Sequence, residues 1–308
     1  MTKTKAFLVV CVLLAFALVL LPGQAPFALI DLVETNSNAE DQRYLTFAKS
    51  SATHGKGTLA VTNRTIVTMV TPGHESLNAE METGLLVITE FPDQQAVERA
   101  LIDRQVWRGD HDQQLRTYAV KPAGVVRSFI GAALPFVLGL FRDVTVPMSH
   151  ESDLIEQLTR NADLLEGATP GGVYHSAWDK IIEVRKDKPV WMLNFLEFYD
   201  QADYGDDRHG VAPSEPIRGE AAYTRYGQGM IGILGAIGGR VGFSSRAEPT
   251  LANADENAWD QIVIAVYPSI TAMMVMLAHP EYQTAHVHRP AGLKRTRLMA
   301  TYPIQTEN

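Results

Sequence analysis

The chain has 308 residues, 46% of them hydrophobic and 20% charged, with 27 Lys and Arg against 35 Asp and Glu for a formal charge of -8. That length fits two domains of ordinary size, and that composition excludes a largely disordered or low-complexity chain. The acidic balance and the lack of a basic stripe argue against nucleic acid as a partner, and the single cysteine, Cys11, sits in an apolar N-terminal run, which excludes intrachain disulfides, thiolate nucleophiles and Cys-ligated metal centres from the remainder.

Lys3 and Lys5 precede the uncharged stretch Ala6 to Leu21, which Pro22-Gly23 breaks. A charged start followed by an apolar run reads as an export signal, and the run is shorter than the ~20 residues that span a bilayer comfortably. Residues 1–25 are therefore expected to be a signal peptide or, if uncleaved, an N-terminal membrane anchor through residues 6–21. The protein is expected to be exported, periplasmic or extracellular.

Period-two apolar runs and amphipathic stretches then give a first series of elements: strand Phe27 to Glu34, helix Asp41 to Ser51, strands Thr65 to Val70 and Leu85 to Phe91, helix Asp93 to Asp103, strand Leu115 to Val120. The segment Ala123 to Asp187 belongs to no such series. Its part Val125 to Phe141 is strongly apolar, bordered by Arg127 and Arg142, and reads either as an interfacial helix on a bilayer or over a pocket, or as a linker covering a sheet face. Asp153 to Leu165 and Ser176 to Arg185 read as amphipathic helices.

A second series follows. Val190 to Phe198 is a strand, Tyr199 to Gly219 a polar loop, and from Glu220 the residues Ala222, Tyr223, Tyr226, Met230, Ile233, Leu234 and Ile237 lay one apolar stripe along a helix that Gly238-Gly239 ends. Strands Arg240 to Arg246 and Trp259 to Tyr267, helix Ser269 to Ala278 and strand Arg295 to Tyr302 complete it. Both series have the order β-α-β-β-α-β, the ferredoxin-like split unit. Ala28 to Glu34 lies over Trp191 to Glu197, and Phe91-Pro92 over Tyr267-Pro268, which points to a duplication. The expected organisation is a diverged first domain over 26–122, an apolar and helical linker over 123–187 and a second domain over 188–308.

The second domain carries Met192-Leu-Asn-Phe-Leu-Glu-Phe198, Gly219-Glu-Ala-Ala-Tyr-Thr-Arg-Tyr-Gly227, Gly238-Gly-Arg-Val241, Trp259-Asp260, Tyr267-Pro-Ser269, His279-Pro-Glu-Tyr282 and His288-Arg-Pro-Ala-Gly-Leu293 in order. In these it resembles domain-of-unknown-function family 1330, of the dimeric α/β-barrel superfamily, over about residues 187 to 303. The resemblance implies an α+β fold in which two ferredoxin-like antiparallel sheets pair into one barrel, here within one chain, so that the protein is a monomer or a homodimer. The superfamily includes cofactor-free monooxygenases, lactone isomerases, polyketide cyclases and haem enzymes. The implied function is a barrel pocket for a small apolar or aromatic ligand, either in a cofactor-independent monooxygenase, isomerase or cyclase or in a non-catalytic ligand-binding or envelope-associated protein. A haem bound through His279, His286 or His288 is a lesser alternative.

Gly227-Gln-Gly-Met-Ile-Gly232 matches the dinucleotide fingerprint but lies inside a helix rather than after a strand, so close helix-on-sheet contact explains the glycines better. His286-Val-His288 would offer two metal ligands from one face only if extended, and no third ligand stands at a readable spacing, so no metal is expected. Asn194 and Asp31 are polar residues inside apolar strands, and each needs a partner or a ligand. Asp31 is a candidate general base if an apolar barrel desolvates it. His288 is the other catalytic candidate, while Asn194, Tyr223, Tyr226 and Arg289 are expected to orient a ligand at one end of the pocket. Asn63-Arg-Thr65 is a glycosylation sequon.

Overall fold

A computed structural model describes residues 25–70, 84–111, 114–123, 133–140, 142, 144, 188–205, 210–248 and 259–304. The run Ala6 to Leu21 and the helices expected at Asp153 to Leu165 and Ser176 to Arg185 lie outside them. Among the described residues no helix is long and apolar enough to cross a membrane.

The first half comprises β1 (Phe27–Glu34), α1 (Asn38–His54), β2 (Thr58–Val70), β3 (Gly84–Phe91), α2 (Gln94–Asp110) and β4 (Leu115–Pro122). A short helix, α3, spans 133–139. The second half comprises β5 (Val190–Phe198), α4 (Gly219–Ala236), β6 (Arg240–Ala247), β7 (Gln261–Tyr267), α5 (Ile270–Ala278), α6 (Pro280–His286), α7 (His288–Gly292) and β8 (Leu293–Pro303). Local chemistry sets the boundaries. Ser37 starts α1 by accepting the Glu40 amide, and Glu40 in turn takes the Asn36 amide at 2.6 Å. Each aromatic-Pro step delivers a cap, Asp93 accepting the Ala96 amide and Ser269 that of Ala272. β2 starts seven residues before the expected Thr65, because the polar Asn63 that interrupts its apolar pattern is buried and donates to Thr301 at 3.0 Å.

All eight strands pair antiparallel and close into a barrel in the order β1-β3-β2-β8-β5-β7-β6-β4. The halves meet at two seams of unequal length. β2 and β8 pair from Asn63↔Pro303 to Val70↔Arg297, and β4 and β6 only from Val120↔Ala247 to Pro122↔Ser245. Alternation along each strand sorts side chains between the two faces. Ile30, Leu32, Ile88, Leu193, Phe195, Phe243, Ile264 and Met299 line the interior. Leu29 and Val33 point outward under α1 and α2, and Met192 and Ala300 point outward under α4, α5 and α6. Each aliphatic side chain buried this way stabilises by ~1.5–3 kcal/mol, so burial beneath the outer helices adds to that of the interior in holding the sheet.

The glycines of α4 serve helix-on-helix contact rather than the helix-on-sheet contact expected. A methyl group on Gly235 would collide with the carbonyl of Pro135 in α3, one on Gly139 with the backbone of Ala236, and one on Gly229 with Ala285 in α6. The Arg142 side chain crosses α4 at Gly232 and pairs with Glu281. The described part of the apolar segment thus covers a helix, not a sheet face, and it leaves Leu134, Phe136 and Leu140 exposed. Gly227 faces open space. Gly235→Ala should therefore lower stability by ~1–3 kcal/mol through overpacking, whereas Gly227→Ala should raise it by ~0.5–1 kcal/mol through helix propensity. Urea midpoints of the two variants check the opposite signs.

Candidate functional site

Asp31 does not reach the barrel interior. With Ile30 and Leu32 inside, it faces outward beneath α1 and α2, fully buried. There Arg104 Nε donates to both carboxylate oxygens at 2.9 Å, Arg104 Nη2 donates to Oδ2 at 2.7 Å, and Thr117 Oγ1 donates to Oδ1 at 2.8 Å. Arg104 Nη1 donates to Ser51 Oγ and to the Ala100 carbonyl. Burial opposes the Arg104 charge, but Asp31, with Tyr44 and Asp103 behind it, outweighs burial and holds the guanidinium above its ordinary value. Both lone-pair sets of Asp31 are occupied, so the expected general base is instead half of a structural ion pair. Asn194 is likewise on the outer face of β5, and its amide donates to the carbonyls of Met192 at 2.9 Å and Val263 at 3.4 Å. It needs no ligand to satisfy that donor.

The structure does assemble the aromatic residues. Tyr223 and Tyr226 lie one turn apart on α4 with centroids 5.4 Å apart, and Tyr226 is 6.1 Å from Tyr282 and 6.2 Å from His286 on α6. Burial raises the pKa of all four tyrosines in this layer, Tyr267 included. Burial also pushes the His286 imidazole down to about 4, and the Arg289 guanidinium down to about 10. At neutral pH the layer is uncharged apart from Arg289. Tyr226 and His286 belong to the core, while Tyr223 is half-buried at its edge, 5.5 Å from the ring of Phe198.

His286 and His288 fall on successive short helices, not on a strand, and their rings part company. His286 turns into the tyrosine layer, and His288 Nδ1 meets the hydroxyl of Tyr204 at 2.9 Å. His279 caps α6 by accepting the Glu281 amide at 3.2 Å. Among the described residues no cluster of His, Cys, Asp or Glu could hold a metal ion. The loop 199–205 that carries Tyr204 is laced to α7 and to the approach of α4 by Tyr199 N–H to Gly292 O, Asp203 N–H to Ala291 O and Gly219 N–H to Tyr199 O. Phe198, Tyr204, Tyr223 and His288 therefore share one half-buried edge of the second half. Burial and then the nearby Arg225 lower the His288 pKa, which keeps the ring neutral near pH 7. Tyr204 escaped sequence analysis because it sits in a loop without periodicity.

No family model matches the chain, and no curated protein matches it. Solved structures do. The chain is similar to the RPA0582 protein of unknown function from Rhodopseudomonas palustris, at 26% identity over 43% of this chain and 93% of that one for its methylated form, with a TM-score of 0.38. It is also similar to a protein described as a candidate monooxygenase from Lactobacillus acidophilus, at 11% identity over 91% of this chain and 94% of that one, with a TM-score of 0.40. A dye-decolorizing protein from V. cholerae matches at 9% identity over 93% and 96%, with a TM-score of 0.39. At these scores the likenesses carry no argument about activity.

Two outcomes follow from the buried groups. Arg104→Met should cost about 3–5 kcal/mol, because it leaves Asp31 buried and unpaired, and the double change with Asp31→Leu should recover much of that loss. Denaturant titration of the two variants measures it. The His286 pKa of about 4 lies below the ~6.5 of an unfolded chain, so the unfolded state binds the proton first as pH falls. Stability from this group is complete above pH 6.5 and is lost progressively between 6.5 and 4, by about 3 kcal/mol in all. His286→Leu should flatten the denaturation midpoint across that window.

Proposed function

We propose that the chain is an exported α/β-barrel protein, built from two ferredoxin-like units related by duplication, the second of them akin to family 1330, and that it binds a small neutral aromatic ligand. The ligand lies at the edge formed by Tyr204, Tyr223, His288 and Phe198, with Tyr226 and Arg289 behind it and Asn194 four residues earlier on β5, the strand that ends at Phe198. Export rests on Lys3, Lys5 and the apolar run after them.

One observation carries the reading: the 2.9 Å contact between Tyr204 and His288 at a half-buried edge, backed by a layer of neutral phenols. With Tyr204 as donor, the His288 ring keeps its hydrogen on Nε2 and offers it to a carbonyl or phenol oxygen, while Phe198 and Tyr223 supply ring faces. The lowered pKa of His288 favours binding over general acid chemistry, since the ring is neutral at pH 7. Catalysis by cofactor-independent oxygenation, isomerisation or cyclisation is the second reading, and it needs the other tautomer: with Nδ1–H donating to the Tyr204 oxygen, the free Nε2 can accept a proton from a bound phenol.

Native mass spectrometry of the protein purified from its own host tests the proposal. A retained aromatic molecule is expected, with His288→Phe and Tyr204→Phe each lowering its affinity about fivefold or more at an unchanged melting temperature. Unchanged occupancy in the folded fraction of both variants would remove this edge as the site.

A further inference from the structure

The barrel interior is largely apolar: Asn63 and Thr301, bonded to each other, point inward at one level, and an arginine does so at another. The alternation that sends Met299 of β8 inward also sends Arg297 inward, where it is 1% exposed opposite its register partner Phe195 on β5. Neither Nε nor Nη2 of Arg297 has a hydrogen-bond partner among the described residues. Burial depresses its pKa, and the other groups acting on it are Tyr118 and Arg116, a phenol and a second cation. Among the described residues no carboxylate answers it.

Arg116 holds in the first half the place that Arg297 holds in the second. It pairs with Leu32 on β1 as Arg297 pairs with Phe195 on β5, and Leu32 lies over Phe195 when Ala28 to Glu34 is laid on Trp191 to Glu197. Aromatic walls surround this level. Tyr118 reaches across the barrel to Phe195, with centroids 5.0 Å apart, and Phe195 lies 5.5 Å from Trp259, whose buried indole N–H also lacks a partner among the described residues. Towards the barrel end, Arg295 pairs with Glu197 at 2.7 Å and stacks 4.4 Å over Trp259, so that nearby carboxylate is already engaged.

A buried guanidinium cannot shed its proton, and keeping one without a counter-charge is costly. The remaining remedy is an anion from outside. Nε and Nη2 form the edge of the guanidinium that grips a carboxylate with two parallel hydrogen bonds, and the rings around it suit an apolar or aromatic body rather than a bare inorganic ion.

We propose that the interior of the barrel binds a small organic carboxylate, its charged group on Arg297 and its body against Tyr118, Phe195 and Trp259. This site is separate from the edge at His288 and does not depend on it.

The test titrates the full chain with benzoate, phenylacetate and decanoate, and with benzyl alcohol as the uncharged control, following melting temperature and calorimetric heats. At least one carboxylate should raise the melting temperature with the logarithm of its concentration, and benzyl alcohol should not. Arg297→Met should weaken that binding about 100-fold while the ligand-free melting temperature holds or rises. Should Arg297→Met fail to fold, Arg297→Lys, which keeps the charge and loses the fork, should weaken binding about tenfold. His288→Phe should leave it unchanged. The proposal is overturned if no carboxylate binds, if binding survives intact in the Arg297 variant that folds, or if His288→Phe abolishes it.

Discussion

Edge strands have to be paired, and the rest of the molecule follows from how this chain pairs them. Each half forms a sheet whose outermost strands, β2 and β4 in the first and β6 and β8 in the second, would otherwise present unbonded amides and carbonyls to other chains. Joining β2 to β8 and β4 to β6 removes all four edges at once. Closure also divides each strand's residues into an enclosed set and a set that only helices can cover. Asp31 and Asn194 fall in the second set, which is why neither meets a ligand inside the barrel.

The two buried arginines show what that division does to charge. Arg104 approaches the sheet from α2 and finds Asp31, Ser51 and Thr117 arranged around it. Removing either partner is expensive, yet the pair as a whole offers nothing reactive. Arg297 belongs to the sheet itself and points where no acidic side chain among the described residues follows it. Chemically similar residues, buried to a similar degree, thus differ in whether the protein has answered their charge.

Most of the fold was legible because strand and helix periods differ and the breaks between them are chemical. Phe91-Pro92-Asp93 and Tyr267-Pro268-Ser269 each announce a strand end and a helix cap in three residues. The first half of β2 was hidden because Asn63 breaks its apolar alternation, and a buried amide bonded to a strand from the far end of the chain leaves no local trace. Sites were harder to read. In Lys294-Arg-Thr-Arg297 nothing distinguishes charges that face water from charges that face a barrel, since both alternate with period two. Asp31 was recognisable as a buried carboxylate, but its partner lies 73 positions away on what reads as an ordinary amphipathic helix.

The longer seam has a consequence for the order in which the chain can mature. β2 is complete by Val70, but the strand that bonds its free edge is β8, the last element described. A chain made from its N-terminus therefore carries an open sheet edge through nearly the whole of its synthesis, and contacts of such long sequence separation are among the slowest to form. Delay before closure is when such an edge is most exposed to pairing with another copy, so the integrity of the first half is settled only when the final strand arrives.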